Sequence, residues 1–141
     1  MGTINTGRVI GGGLLAGLVM NVIDFIVNAV ILAQPWAYAA KARGIDMAAT
    51  QGTSAAGWII VDFALGLLLV WLYAGIRPRY GAGPKTAVLA SLAVWAIVHI
   101  VFASYAFMGF LPVSLVAGAT IGGLIAALAG GLAGCWLYQE S

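Results

Sequence analysis

Hydrophobic residues along this chain gather into four long blocks, at about 8–33, 54–76, 84–107 and 110–138, separated by short breaks that are polar or rich in glycine and proline. Crossing the hydrocarbon core takes roughly 20 apolar residues, and each block is long enough to do so with some tilt. The breaks have local causes. Gln34-Pro35-Trp36 closes the first block, because proline disfavours helix in the residue before it and then opens a new turn well. The stretch at about 35–43 reads as a short helix on the membrane surface, with Trp36 and Tyr38 at the interface and Lys41 and Arg43 in water. Gly44 ends it, and residues 45–53 read as a polar loop. Arg77 to Lys85 is a basic turn rich in glycine and proline, and Met108-Gly109-Phe110-Leu111-Pro112 is an uncharged turn that folds the last two blocks into a hairpin. The pattern predicts an all-α fold: a polytopic membrane protein made of one four-transmembrane-helix bundle, with a short interfacial helix after helix one.

Composition removes the soluble alternative. The chain is 63% hydrophobic and 7% charged, and a soluble domain carries about 25% charged residues to cover its surface. Its 141 residues leave no room for a second domain, and the net charge of +2 gives no stripe for nucleic acid. Cys135 is the only cysteine, which excludes an intrachain disulfide, a redox pair and a thiolate metal cluster within one chain. Arg8 before an apolar run has the look of a signal peptide. The run, however, exceeds the usual h-region of about 7–15 residues and holds Asp24 and Asn28, so a retained helix is expected. With four crossings, Arg8, Arg77, Arg79 and Lys85 share one side with both termini, against Lys41 and Arg43 on the other. The excess of positive charge predicts cytoplasmic N- and C-termini.

Within the apolar blocks a few polar groups stand out. Asp24 lies deep in the first block with Asn21 and Asn28 on its own helical face, and a carboxylate at bilayer depth costs about 2.5–3.5 kcal/mol even on the mildest insertion scale. The second block holds Asp62, nearer the outer interface where water reaches, the third holds His99 and the fourth Thr120. Counting about 1.5 Å per residue from the block ends puts Asp24, Asp62, His99 and Thr120 at similar heights, in the middle to outer half of the bilayer. If they face inward they form a small polar cluster: a proton or cation site, or the polar end of a small-molecule pocket. The plainer reading is interhelical hydrogen bonding, worth about 0.6 kcal/mol for each group. One histidine gives one axial haem ligand, and no Glu-x-x-His pair is present, so no cofactor and no metal site are expected. No nucleophile–base pair appears either, so no catalytic residue is assigned and the chain reads as a non-enzyme.

The chain has 20 glycines. Gly13 and Gly17, Gly118 and Gly122, and Gly130 and Gly134 form three small-xxx-small pairs, a spacing that lets helix backbones approach closely. They suit packing inside the bundle or against another chain. Helix four has more small faces than one neighbour uses, which favours a homo-oligomer or a larger membrane complex.

Gly-Gly-Leu-Leu-Ala-Gly-Leu-Val-Met-Asn at 12–21, Trp36 followed by Gly44, and Tyr-Ala-Gly-Ile-Arg-Pro-Arg-Tyr-Gly-Ala-Gly-Pro-Lys-Thr at 73–86 carry a resemblance. Over roughly two thirds of its length the chain resembles a group of small, uncharacterised bacterial integral membrane proteins with four predicted helices. That resemblance implies a bacterial inner membrane and a four-helix layout, and implies no activity. The sequence leaves two functions in view: a pore, carrier or ion- or ligand-binding protein using Asp24, Asp62 and His99, or a non-catalytic accessory subunit of a membrane complex.

Overall fold

The computed structural model describes residues 3–139. Four helices long and apolar enough to cross a membrane run Thr6–Ile31, Met47–Tyr80, Pro84–Phe107 and Val113–Leu137. The first is composite. Helix α1 (Thr6–Asp24) continues as a π-helical stretch, Phe25–Ile31, and after a break at Leu32 the short helix α2 covers Ala33–Lys41. Then follow α3 (Met47–Tyr80), α4 (Pro84–Phe107) and α5 (Val113–Leu137). The fold is an all-α bundle.

The element ends differ from the sequence reading in four places, each for a local reason. Residues 47–53, expected as loop, are the start of α3: the Asp46 carboxylate accepts from the N–H groups of Ala48 and Ala49, at 2.9 and 3.3 Å, and so satisfies donors that a helix start leaves open. At its other end α3 runs through Pro78 to Tyr80 instead of stopping near residue 76. Gly81, at φ 87°, turns the chain, and the Thr86 hydroxyl donates to the Gly81 carbonyl at 2.7 Å. The fourth crossing starts at Val113, not at residue 110, because Gly109 (φ 73°) and Pro112 hold the preceding residues in a turn. Pro35, expected to open the interfacial helix, lies instead in the first turn of α2, which begins at Ala33, and there its missing N–H costs nothing.

Helix α1 packs against both α3 and α5, and glycine makes the approach possible. A Cβ on Gly13 would meet Leu67 Cα at 2.7 Å, one on Gly17 would meet Phe63 Cα at 2.7 Å, and one on Gly66 would lie 2.5 Å from the Gly13 carbonyl oxygen. On the other face, a Cβ on Gly134 would lie 2.5 Å from the Gly12 carbonyl oxygen, and one on Gly130 would lie 2.8 Å from that of Ala16. Further along α5, Gly122 seats Val27 and Gly118 seats Leu32.

The ends of the bundle are tied by polar contacts. At the end carrying both termini, the Asn5 N–H donates to the Tyr138 hydroxyl (3.3 Å), the Gly83 N–H donates to the Tyr73 hydroxyl (3.0 Å), and the two tyrosine rings meet edge to face at 5.9 Å. The core of Val9, Ala16, Leu69, Val70, Ala87, Ala90 and Cys135 belongs to this half. At the far end, Arg43 donates to the carbonyls of Ala39 (2.8 Å) and Gly109 (3.4 Å), joining the α2–α3 loop to the α4–α5 turn.

Candidate functional site

Asp24, the last residue of α1, meets Asp62 of α3. Their side chains lie close enough to act on each other, and His99 of α4 lies within electrostatic reach of Asp24. Asp62, which the sequence placed near the wet outer interface, is 5% exposed. Helix α3 begins at Met47 rather than near residue 54, so Asp62 lies well inside the helix, where Gly17 of α1 packs against its backbone. An ionised carboxylate only accepts hydrogen bonds, whereas a protonated one donates. Two carboxyl groups placed together therefore hydrogen-bond to each other only when one of them carries a proton.

His99 is held from three sides. Its Nδ1 is 3.0 Å from the Trp95 carbonyl. A carbonyl can only accept, so Nδ1 carries the proton and Nε2 is the free acceptor in the neutral ring. The ring stacks on Trp95 at 5.6 Å and meets Phe102 edge-on at 6.1 Å. Gly123 of α5 makes room for it, because a Cβ there would collide with Nε2 and Cε1. Trp95 is itself fixed, its indole N–H donating to the Thr120 carbonyl at 3.0 Å.

The other polar residues singled out in the sequence work through the backbone. Asn21 donates to the carbonyls of Gly17 (2.9 Å) and Ile59 (3.3 Å), tying α1 to α3. Asn28 donates to the Asp24 backbone carbonyl at 3.1 Å and accepts from the Trp36 indole at 3.1 Å, so it clasps the π-helical stretch to α2. Thr120 contributes its carbonyl to Trp95. The structure thus brings Asp24, Asp62 and His99 together and uses Asn21, Asn28 and Thr120 to hold the helices around them. Sequence reasoning passed over Trp95, placed Trp36 at the membrane interface rather than beside Asn28, and gave Gly123 no part in the site. A glycine beside the Gly122 stripe, a tryptophan one turn before His99 and another eight residues after Asn28 were the available signals.

The cluster marks the level at which packing opens. Buried residues of α1 run from Val9 to Met20, those of α3 from Asp62 to Ala74, and those of α4 from Thr86 to Ser91, all on the side of the termini. Beyond the cluster, residues 47–61 of α3 are exposed throughout, while α5 stays packed against Val27 and Leu32. From His99 a ladder of rings, Phe102, Tyr105 and Phe110, continues toward the far end at spacings of 6.1–6.3 Å. Among the described residues no group of three or more His, Cys, Asp or Glu side chains is arranged to hold a metal ion. No protein-family model, curated protein or solved structure matches this chain.

Proposed function

We propose that the protein is a small carrier or pore of a bacterial inner membrane, with both termini in the cytoplasm, that takes up and releases a proton, or a cation in its place, at the Asp24–Asp62 pair. The observation that carries this reading is the meeting of two carboxyl groups, from different helices, inside apolar segments. Intramembrane acids are expensive, and proton relays are their common use. The free Nε2 of His99 supplies a nearby acceptor for the proton, and the loosening of the helices beyond the cluster supplies a route toward one face. This work is non-enzymatic. The test is proton uptake into liposomes containing the purified protein and an internal pH dye, driven by a potassium diffusion potential. Wild-type protein should acidify the lumen faster than empty liposomes, and Asp24→Asn and Asp62→Asn should return the rate to that of empty liposomes. Wild-type liposomes no faster than empty ones would end the carrier reading.

A second reading follows from the exposure of α3 between residues 47 and 61. A largely exposed helical stretch, touched by α1 only at Ile59 among the polar contacts of the described residues, fits a subunit that packs against a second copy or another membrane protein. Mass measurement after gentle extraction distinguishes them: a multiple of the 14.5 kDa chain indicates self-assembly, and a mixed particle an accessory role.

A further inference from the structure

The end of the bundle that carries both termini has a feature the carboxyl pair does not use. A cleft of about 210 Å³ lies between the end of α3, the first turn of α4 and the last turns of α5. Its walls are apolar or aromatic, formed by Tyr73, Pro84, Ala87, Leu132, Cys135 and Trp136. Tyr73, Ala87 and Cys135 belong to the buried core, whereas Leu132 and Trp136 are exposed on the outer face of α5. The cleft therefore opens where lipid meets the bundle, at the level where one helix ends and the next begins.

Basic residues gather at the same end of the bundle as the cleft. Arg79 and Lys85 are exposed on either side of the α3–α4 turn, Lys85 following Pro84 directly, and Arg8 is exposed on α1 at the same end. Arg77 stands over the Tyr138 ring at 5.7 Å. Among the described residues the carboxylates lie elsewhere: Asp24 and Asp62 form their pair, and Asp46 caps α3 at the far end. Basic pockets between transmembrane helices suit anionic head groups, and tryptophan favours head-group depth.

We propose that this cleft holds an anionic phospholipid, with its phosphate against Arg79 and Lys85 and the first methylenes of an acyl chain against Leu132 and Trp136. Charge selects the lipid. A zwitterionic head group brings its own ammonium into the same cationic field and gains less there. The cleft selects the place, since an apolar wall beside the cations lets one lipid stay while those of the general belt exchange.

The test uses the full chain in mild detergent, titrated with phosphatidylglycerol or phosphatidylcholine of identical acyl chains and read by native mass spectrometry. Wild-type protein should retain one phosphatidylglycerol with a preference on the order of tenfold over phosphatidylcholine, and Arg79→Gln/Lys85→Gln should bring the two lipids close to parity. Leu132→Trp fills the cleft while keeping every cation, and should lower retention of both lipids. Equal retention of the two lipids by wild-type protein, or undiminished retention by Leu132→Trp, would overturn the proposal. The paired exchange at Arg79 and Lys85 alters exposed side chains only, so it remains decisive if Leu132→Trp fails to fold. Phosphatidylglycerol should raise the unfolding temperature of wild-type protein and leave that of the charge variant unchanged, and an equal rise in both would count against the site.

Discussion

Asp24 and Asp62 stand on different helices and bring their carboxyl groups together, so α1 and α3 meet there through a pair that a single proton would bond, as well as through glycine contacts. Asparagine can keep such a bond but cannot share a proton. Asp62→Asn should therefore fold with a stability within about 1 kcal/mol of wild type, whereas Asp62→Leu, which leaves the partly buried Asp24 without its partner, should lose about 1–3 kcal/mol. Infrared spectroscopy checks the proton directly. Wild-type protein should show a protonated-carboxyl stretching band that shifts in heavy water, and that band should disappear or move in Asp62→Asn. A spectrum without the band in wild-type protein would remove the shared proton.

The seat of His99 on Gly123 makes a sharper prediction, because it couples two helices through one atom. In Gly123→Ala the new methyl group meets the imidazole ring, and the ring, already fixed on Trp95, has little freedom to retreat. Overpacking of this kind costs about 1–3 kcal/mol. Gly123→Ala/His99→Ala should recover most of that loss, giving a coupling energy of about 1 kcal/mol or more between the two sites. Equilibrium unfolding in a detergent–denaturant mixture measures the cycle, and additive losses would mean that the ring can step aside.

How far the sequence reached is visible in these residues. Ionisable side chains are so rare in the apolar blocks that Asp24, Asp62 and His99 stood out, and helical rise counted from the block ends was enough to put them at one level. Spacing could not say which polar side chains point at one another. Asn21 and Asn28 lie on the face of Asp24, yet each amide finds a carbonyl one turn back on its own helix, a choice made by rotamer and packing. The four crossings followed from hydropathy, but the beginning of α3 did not. Thr50, Gln51, Gly52 and Thr53 look like loop in any apolar count, while a helix continues wherever its backbone bonds continue and its first donors are capped. The π-helical stretch after Asp24 left no trace in composition.

Gly66 is the strictest packing position in the bundle. An added Cβ would lie 2.5 Å from both the Gly13 carbonyl oxygen and the Gly17 nitrogen, and backbone atoms cannot yield as a side-chain end can. Gly66→Ala should destabilise the protein by at least about 2 kcal/mol by forcing α1 from α3. Gly75, on the same helix with nothing within 4 Å of an added Cβ, is the control: Gly75→Ala should stabilise by up to about 1 kcal/mol through backbone entropy. Thermal unfolding of the two variants side by side tests the pair, and equal behaviour would contradict the close approach of α1 to α3.

The far end of α3 rests on Asp46. This helix has 34 residues and reaches about 50 Å at about 1.5 Å per residue, well beyond a hydrocarbon core of about 30 Å. Its first turns are exposed and have little packing to hold them, so their order depends on the cap. Removing it in Asp46→Ala costs about 0.5–2 kcal/mol locally. Because residues 47–53 add no buried contact to the core, that loss should appear as fraying of the first two turns rather than as a lower unfolding temperature of the bundle. Hydrogen exchange resolved by residue separates the two: amides at 48–53 should exchange faster in Asp46→Ala, while those around Leu69 and Val70 keep their protection. Unchanged exchange at 48–53 would mean that something other than Asp46 holds the start of α3, and a covering partner on this open stretch would be the first place to look.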